Sequence, residues 1–282
     1  MDTLLLSEIT RNITIALRED QIDRDVTTLS CFPRPSQAKA KLILKEDAIL
    51  AGLIFLPMMC LNVDSAITLQ VHAEDGSKGE KGDLLATLEG SVHSLLAVER
   101  TLINFIQHAT SIATQTNVYV QKIKDLSCDI LDTRKTLPCH RFLQKYATRL
   151  GGAKNHRFHL ADQILIKDNH LTHMKKESDS PIEEAIKRGR KKYPSKRLQI
   201  EVATLEELSI AAAAKPDAIL LDNMTPLEIK SAVEACPQGI YLEASGGIDL
   251  TTIRSYAETG IHGVSIGRLT HSIHAVDMSL KL

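Results

Sequence analysis

Short apolar runs recur through the second half of this chain at nearly constant intervals. Four of them begin at residues 198, 218, 240 and 263, which is 20, 22 and 23 residues apart. That spacing fits one strand, one helix and two short loops. Two further runs, 128–131 and 164–166, come before them, and all six are too short and too rich in Ile, Leu and Val to be helices. Strands joined through helices lie parallel, so the rhythm predicts a parallel α/β barrel or a doubly wound sheet.

Parallel α/β folds place their chemistry at the C-terminal ends of the strands. Here those ends offer Asp132, Arg134 and Lys135; Lys167 and Asp168; Glu201; Asp222 and Asn223; Glu243 and Ser245; Gly267 and Arg268. One charged loop can be mere solvation. Six polar strand ends in succession point to a site.

The first half reads differently. A helix is expected at the start, where Leu4, Leu5, Ile9, Ile13 and Leu17 recur at helical spacing, and strands are expected at 40–44, 67–71 and 84–88. The last residues alternate Val276, Met278, Leu280 and Leu282 with polar neighbours, the pattern of a strand returning to pair with the N-terminal unit. The longest apolar stretch, 48–61, is interrupted by Pro57 and falls short of the roughly 20 residues of a spanning helix, so no membrane partner is expected. The opening MDTLLLSEITRN has no basic segment of the signal-peptide kind, and five scattered cysteines form no CxxC pair; both fit a reduced, cytoplasmic chain.

Net charge is −1 with no tryptophan, which gives neither a global basic surface nor the stacking platforms that nucleic acid requires. Charge is instead concentrated. Between Asp132 and His170 eight cations face three acids, leaving the rest of the chain at about −6. Arginine forks grip carboxylates and phosphates with two prongs, so the cluster suits a small polyanion. Arg141, Lys145 and Arg149, four apart, read as a solvated helical face; Arg134, Lys135, Arg157 and Lys167 lie at strand ends or in a Gly/Asn/His loop and are the functional candidates. His156, between Asn155 and Arg157, is read as a donor to an anion. SGGI from Ser245 and SIGR from Ser265 place small residues between strand and helix, where backbone N–H groups can close on a phosphate. Glu201 and Asp222 end neighbouring strands. Such a pair either holds magnesium beside a phosphate or neutralises Lys135 or Lys167.

These residues sit in motifs that resemble the quinolinate phosphoribosyltransferase family: EDQIDRDVTT from Glu19, ERTLINFIQHATSIAT from Glu99, DTRKTLP from Asp132, KYATRLGGAKNHRFHLADQILIKDNH from Lys145, IEVATLEEL from Ile200, LLDNM from Leu220, LEASGGI from Leu242 and SIGRLTHS from Ser265. The resemblance covers nearly the whole chain. It implies an α/β fold of two domains, an N-terminal α/β sandwich (1–110, with the tail 271–282 returning to it) and a C-terminal incomplete TIM-like α/β barrel (111–270). The implied reaction joins quinolinate to phosphoribosyl pyrophosphate with magnesium, giving nicotinate mononucleotide, pyrophosphate and carbon dioxide. By motif match Arg134, His156, Arg157 and Lys167 hold the quinolinate carboxylates, with Lys135 lining the same pocket. Arg100 reaches into the partner's site of a homodimer. Glu201 and Asp222 face the ribose and the metal-pyrophosphate, and Ser245, Gly246, Gly247 and Gly267 cradle the 5′-phosphate. Lys135, Lys167, Glu201 and Asp222 are the catalytic candidates.

The chain departs from the family pattern at three places. Cys139-His140 stands where a Gly and an apolar residue are usual, His108-Ala109-Thr110-Ser111 where Arg-Leu-Ser-Gly is usual, and Arg24 replaces a Gly before Asp25. None removes a carboxylate-binding cation. Two alternatives stand beside this reading: a same-fold enzyme acting on another acid, such as nicotinate, without decarboxylation, and a non-catalytic sensor of a phosphorylated sugar or acidic metabolite.

Overall fold

The computed structural model describes residues 3–282. Its first elements are α1 (Thr3–Glu19), α2 (Val26–Cys31), β1 (Gln37–Leu44), β2 (Ala48–Ile49), α3 (Leu56–Val63), β3 (Thr68–Val71), β4 (Lys78–Gly79), β5 (Leu84–Ser91) and α4 (Val92–Lys122). Then come β6 (Asp129–Leu131), α5 (Arg141–Leu150), β7 (Ile164–Ile166), α6 (Asp168–Met174), α7 (Pro181–Lys192), β8 (Leu198–Val202), α8 (Leu205–Ala213) and β9 (Ala218–Asp222). The chain closes with α9 (Pro226–Ala235), β10 (Tyr241–Ser245), α10 (Ile253–Ala257), β11 (Gly263–Ser265), α11 (Arg268–His271) and β12 (Met278–Lys281). Two compact units result. One holds the chain up to Asn117, Thr136–Gly152 and Leu269–Leu282; the other holds Val118–Lys135 and Ala153–Arg268.

The first unit is built on an antiparallel sheet in the order β12-β1-β5-β3. In β1 the side chains alternate, with Ala40, Leu42 and Leu44 buried and Lys39 and Lys41 turned away. The tail forms β12 and pairs with β1, Leu280 opposite Leu42, so the expected return to the N-terminal unit is observed. Helix α1 buries Leu5, Ile9, Ile13 and Leu17, each worth about 1.5–3 kcal/mol relative to exposure. Leu4, in the same apolar series, is exposed. The stretch 48–61 is not one segment: it holds β2, a single 3₁₀ turn and the start of α3, which takes Pro57 into its first turn. No helix among the described residues is long and apolar enough to cross a membrane.

The two compact units do not divide at the expected 110/111. Helix α4 runs on to Lys122 and the units divide within it, after Asn117. Thr136–Gly152 also joins the first unit, because Leu143, Tyr146 and Ala147 of α5 belong to its hydrophobic core. Tyr146 meets the Phe55 ring edge-on at 5.3 Å and its hydroxyl donates to Asp75 at 2.7 Å. The same packing overturns the reading of Arg141, Lys145 and Arg149 as a solvated stripe. Lys145 is fully buried, Arg141 is half-buried with its Nε donating to Thr136 Oγ1 at 3.1 Å, and only Arg149 is exposed. The helix is buried on more than one face, so a four-residue charge period does not mark its solvent side.

Of the three departures from the family pattern, one carries backbone strain. Cys139 has φ +64, in the left-handed region that glycine adopts freely. Arg24 is not among the positive-φ residues. Ser111, where glycine is usual, is buried and useful: its hydroxyl donates to the Gln107 carbonyl at 2.6 Å and accepts the Val276 N–H at 2.8 Å. His108 is half-buried beside Gln144 Nε2 at 2.8 Å and 6.4 Å from the His140 ring.

The second unit carries the expected parallel sheet, in the order β6-β11-β10-β9-β8-β7. Strands β6 and β7 stand at opposite ends of that order and do not pair, so the barrel is incomplete. All six expected runs are strands, with ends displaced by no more than three residues. β8 is buried at every position, as a strand covered on both faces should be.

Candidate active site

Register in the second unit decides which side chains share a face. Glu243 and Ser245 of β10 pair with Gly263 and Ser265 of β11 and with Leu220 and Asp222 of β9. Gln199 and Glu201 of β8 pair with Ala218 and Leu220. Paired residues of parallel strands project to the same side, so Gln199, Glu201, Asp222, Glu243 and Ser245 line one face. That face is polar, whereas barrel interiors are usually packed with branched apolar residues.

The cationic part of the site is assembled by Asp132. Fully buried at the end of β6, it accepts Asn155 Nδ2 at 2.6 Å and the His156 N–H at 2.8 Å, and its own N–H donates to the Lys154 carbonyl at 3.1 Å. The loop 154–157 is thereby held beside β6, and Arg157 is brought near Arg134. Both arginines are half-buried. Burial first, and then the Arg134 charge, pulls the Arg157 guanidinium below its ordinary value. Two like charges held near one another in a half-buried place favour an anion beside them.

The structure joins Lys167 and Glu201 directly, Lys167 Nζ donating to Glu201 Oε2. Of the two readings for Glu201, the structure shows the contact with Lys167. Asp222 accepts Asn223 Nδ2 at 2.7 Å. No group of three or more His, Cys, Asp or Glu side chains able to hold a metal occurs among the described residues. Glu201 and Asp222 nevertheless fit magnesium of the kind that keeps its waters and takes its remaining ligands from substrate phosphates, because that mode needs only one or two carboxylates. Lys135 is exposed, its N–H donating to Thr133 Oγ1 at 3.0 Å.

After β10 the chain turns through Gly246 at φ +104 and Gly247 at φ +63. A Cβ on Gly246 would come within 2.2 Å of Asn223 Oδ1, so the close approach of the loops after β9 and β10 requires glycine there. Around Gly247 nothing lies within 4 Å of that position, leaving backbone open to a ligand. Gly267 directly precedes α11 after β11. Arg100 lies exposed on α4, in the first unit.

Two polar residues of this face had no role assigned from sequence. Glu243 is 2% exposed; it accepts Gln199 Nε2 at 2.8 Å and lies 3.5 Å from His156 Nε2. Burial pushes its carboxyl up, but the His156 contact and then those from Gln199 and Ser265 outweigh this and hold it below the usual carboxylate range. Gln199 is 1% exposed. The available signal was a glutamine two residues before Glu201 within a strand that is otherwise apolar.

Two family models match the chain, the quinolinate phosphoribosyl transferase N-terminal domain over residues 25–110 and its C-terminal domain over residues 112–281. The nicotinate-nucleotide pyrophosphorylase (carboxylating) of Mycobacterium leprae is 35% identical over 276 residues, covering 95% of this chain and 94% of the relative. Among solved structures, the nicotinate-nucleotide pyrophosphorylase from Francisella tularensis superposes with a TM-score of 0.90 at 36% identity, covering 98% of this chain and 96% of that one. Human nicotinic acid phosphoribosyltransferase, at 13% identity, TM-score 0.65 and coverage of 91% and 72%, shares the fold alone.

Proposed function

The chain belongs to the quinolinate phosphoribosyltransferase family, and from that premise we propose that it transfers phosphoribose from phosphoribosyl pyrophosphate to quinolinate with loss of carbon dioxide, giving nicotinate mononucleotide and pyrophosphate. The observation that carries the reading to these residues is the half-buried pair Arg134 and Arg157, whose mutual repulsion is relieved by a dicarboxylate. Lys167 completes the grip, Lys135 lines the pocket from its exposed side, and His156 lies beneath. The Ser245-Gly246-Gly247 turn and Gly267 receive the 5′-phosphate on backbone N–H groups.

Held this way, the pyridine nitrogen faces the anomeric carbon. The N–C bond forms as the C–O bond to pyrophosphate breaks, through a transition state with oxocarbenium character that Glu201 and Asp222 face with negative charge. Magnesium, held by Glu201 and Asp222, would offset the charge of the departing pyrophosphate. The ring nitrogen, now positive, then stabilises the electron pair left at the adjacent carbon when the neighbouring carboxylate leaves as carbon dioxide, and a proton takes its place. No protein nucleophile is needed; the residues contribute positioning and electrostatics.

A homodimer in which Arg100 of one subunit completes the other's acid pocket is part of the proposal, as is a cytoplasmic location, supported by five cysteines that are all free. The test is Arg157→Ala. Truncating one partner of a buried charge pair costs on the order of 2–5 kcal/mol, so quinolinate binding, measured by titration calorimetry, is expected to weaken at least 30-fold (about 2 kcal/mol) with phosphoribosyl pyrophosphate little changed. Equal losses for both substrates would remove Arg157 from the acid pocket.

A further inference from the structure

Beneath the acid pocket the hydrogen bonds close into a ring. Gln163 Nε2 donates to Gln199 Oε1 at 3.2 Å, and Gln199 Nε2 donates to Glu243 Oε2 at 2.8 Å. The same oxygen faces His156 Nε2 at 3.5 Å. The Arg157 N–H donates to His156 Nδ1 at 2.8 Å, and Arg157 Nη1 returns to the Gln163 carbonyl at 3.4 Å. An Nδ1 that accepts an N–H carries no proton, so the ring proton sits on Nε2 and faces Glu243. Both ring nitrogens of His156 are therefore engaged by the chain itself.

One side of this ring is open. It borders a cavity of about 280 Å³, lined also by Asp129, Arg197 and Tyr241 near the N-terminal ends of the strands. On that side, hydrogen bonds rather than packing orient the imidazole. Glu243 is also a costly residue to keep there: it is a buried acid with one oxygen, Oε1, lacking a hydrogen-bond partner, in a place where parallel barrels usually carry apolar side chains. The acid is explained by what it orients.

We propose that Glu243, supported by Gln199, is a positioning residue for the acid pocket: it fixes His156 with its proton on Nε2, so that Nδ1 takes the backbone N–H of Arg157 and fixes the main chain from which the Arg157 guanidinium is presented beside Arg134. The proposal rests on the reading of Arg134 and Arg157 as the quinolinate grip. Asp132 clamps the same loop from its other side through Asn155 and the His156 N–H, so the backbone at 155–157 is held between two buried carboxylates. His156 then acts through Arg157 rather than by touching the substrate.

Glu243→Ala is expected to raise KM for quinolinate about tenfold or more, since a misplacement of 1 Å can cost on the order of 100-fold, with KM for phosphoribosyl pyrophosphate little changed. Glu243→Gln keeps an oxygen for the His156 Nε2–H and is expected to recover most of the loss. A purely structural role would shift both KM values together with the melting temperature, or leave quinolinate untouched, and either result overturns the proposal. If Glu243→Ala does not fold, the wild-type protein decides. A long-range ¹H–¹⁵N spectrum, with His156 assigned by its loss in His156→Gln, should show the Nε2–H tautomer, and a proton on Nδ1 would refute the arrangement. A wild-type chain that forms no product from quinolinate would sink the functional reading instead, while the tautomer would still settle the positioning.

Discussion

Replacing Cys139 by glycine should make this protein more stable, although the substitution removes atoms and adds no contact. Cys139 sits at φ +64, and an L-residue in the left-handed region costs about 1–2 kcal/mol. Glycine there is unstrained but gives back about 0.5–1 kcal/mol through the greater freedom of the unfolded chain. The thiol is exposed, so its removal uncovers nothing. The bond that fixes the turn, from Asn12 Nδ2 to the Cys139 carbonyl at 2.7 Å, uses the backbone and survives. The balance is a gain of about 0.5–1 kcal/mol, and in a chain of this size that raises Tm by roughly 1–4 °C. Thermal melts and urea titrations of Cys139→Gly measure it, with an unchanged m value showing that compactness has not altered. Cys139→Ala is the control, since it loses the thiol but keeps the strained Cβ, and should melt near the wild type. A Cys139→Gly protein no more stable than Cys139→Ala would refute the argument from backbone strain.

Three other outcomes are expected. Burial, and then the charge of His140, pushes His108 down to about 4. Its neutral form therefore favours the folded chain above about pH 6.5, and that stability, about 3 kcal/mol at most, drains away as pH falls towards 4; His108→Gln should flatten the fall of Tm over this range, and parallel curves would contradict the assignment. Gly246→Ala should cost about 2–4 kcal/mol, from a Cβ 2.2 Å from Asn223 Oδ1 at φ +104, whereas Gly247→Ala, which meets open space at φ +63, should cost only about 1 kcal/mol; urea titration giving equal losses would be inconsistent with the loop contact described. Inactive Arg100→Ala and Lys135→Ala proteins, mixed with subunit exchange verified, should regain activity in half the sites of each mixed dimer, and no recovery would deny Arg100 its role across subunits.

The parallel sheet could be read from sequence because each strand carries a short apolar run and the last βα units have nearly the same size, so burial and connectivity leave the same mark. The tail strand was legible for a related reason, Met278 and Leu280 alternating with Ser279 and Lys281. Other features leave weaker marks. The division within α4 is invisible because the helix keeps one continuous pattern through Asn117 and Val118. The two-residue strands β2 and β4 are shorter than any period. Lys145 misleads because charge spacing along a helix says nothing of how many of its faces are covered. In the site, Arg134, Arg157, Lys167 and Glu201 stood out as charges at strand ends and in the loop after them, and the structure brings Arg157 to Arg134 and Lys167 to Glu201. Gln199 and the anchoring part played by Glu243 did not stand out, since their meaning lies in a hydrogen-bonded ring drawn from β8, β10 and the loop between α5 and β7.

One assay addresses the chemistry of the acid pocket most directly. Purified protein with quinolinate carrying ¹⁴C in the 2-carboxylate, phosphoribosyl pyrophosphate and magnesium should release labelled carbon dioxide and form nicotinate mononucleotide in equal amounts, while nicotinate supplied in place of quinolinate should give no product. Nicotinate mononucleotide formed from nicotinate and not from quinolinate would contradict the proposed reaction, leaving the fold and the phosphoribosyl transfer but assigning the Arg134 and Arg157 pocket to a different acid.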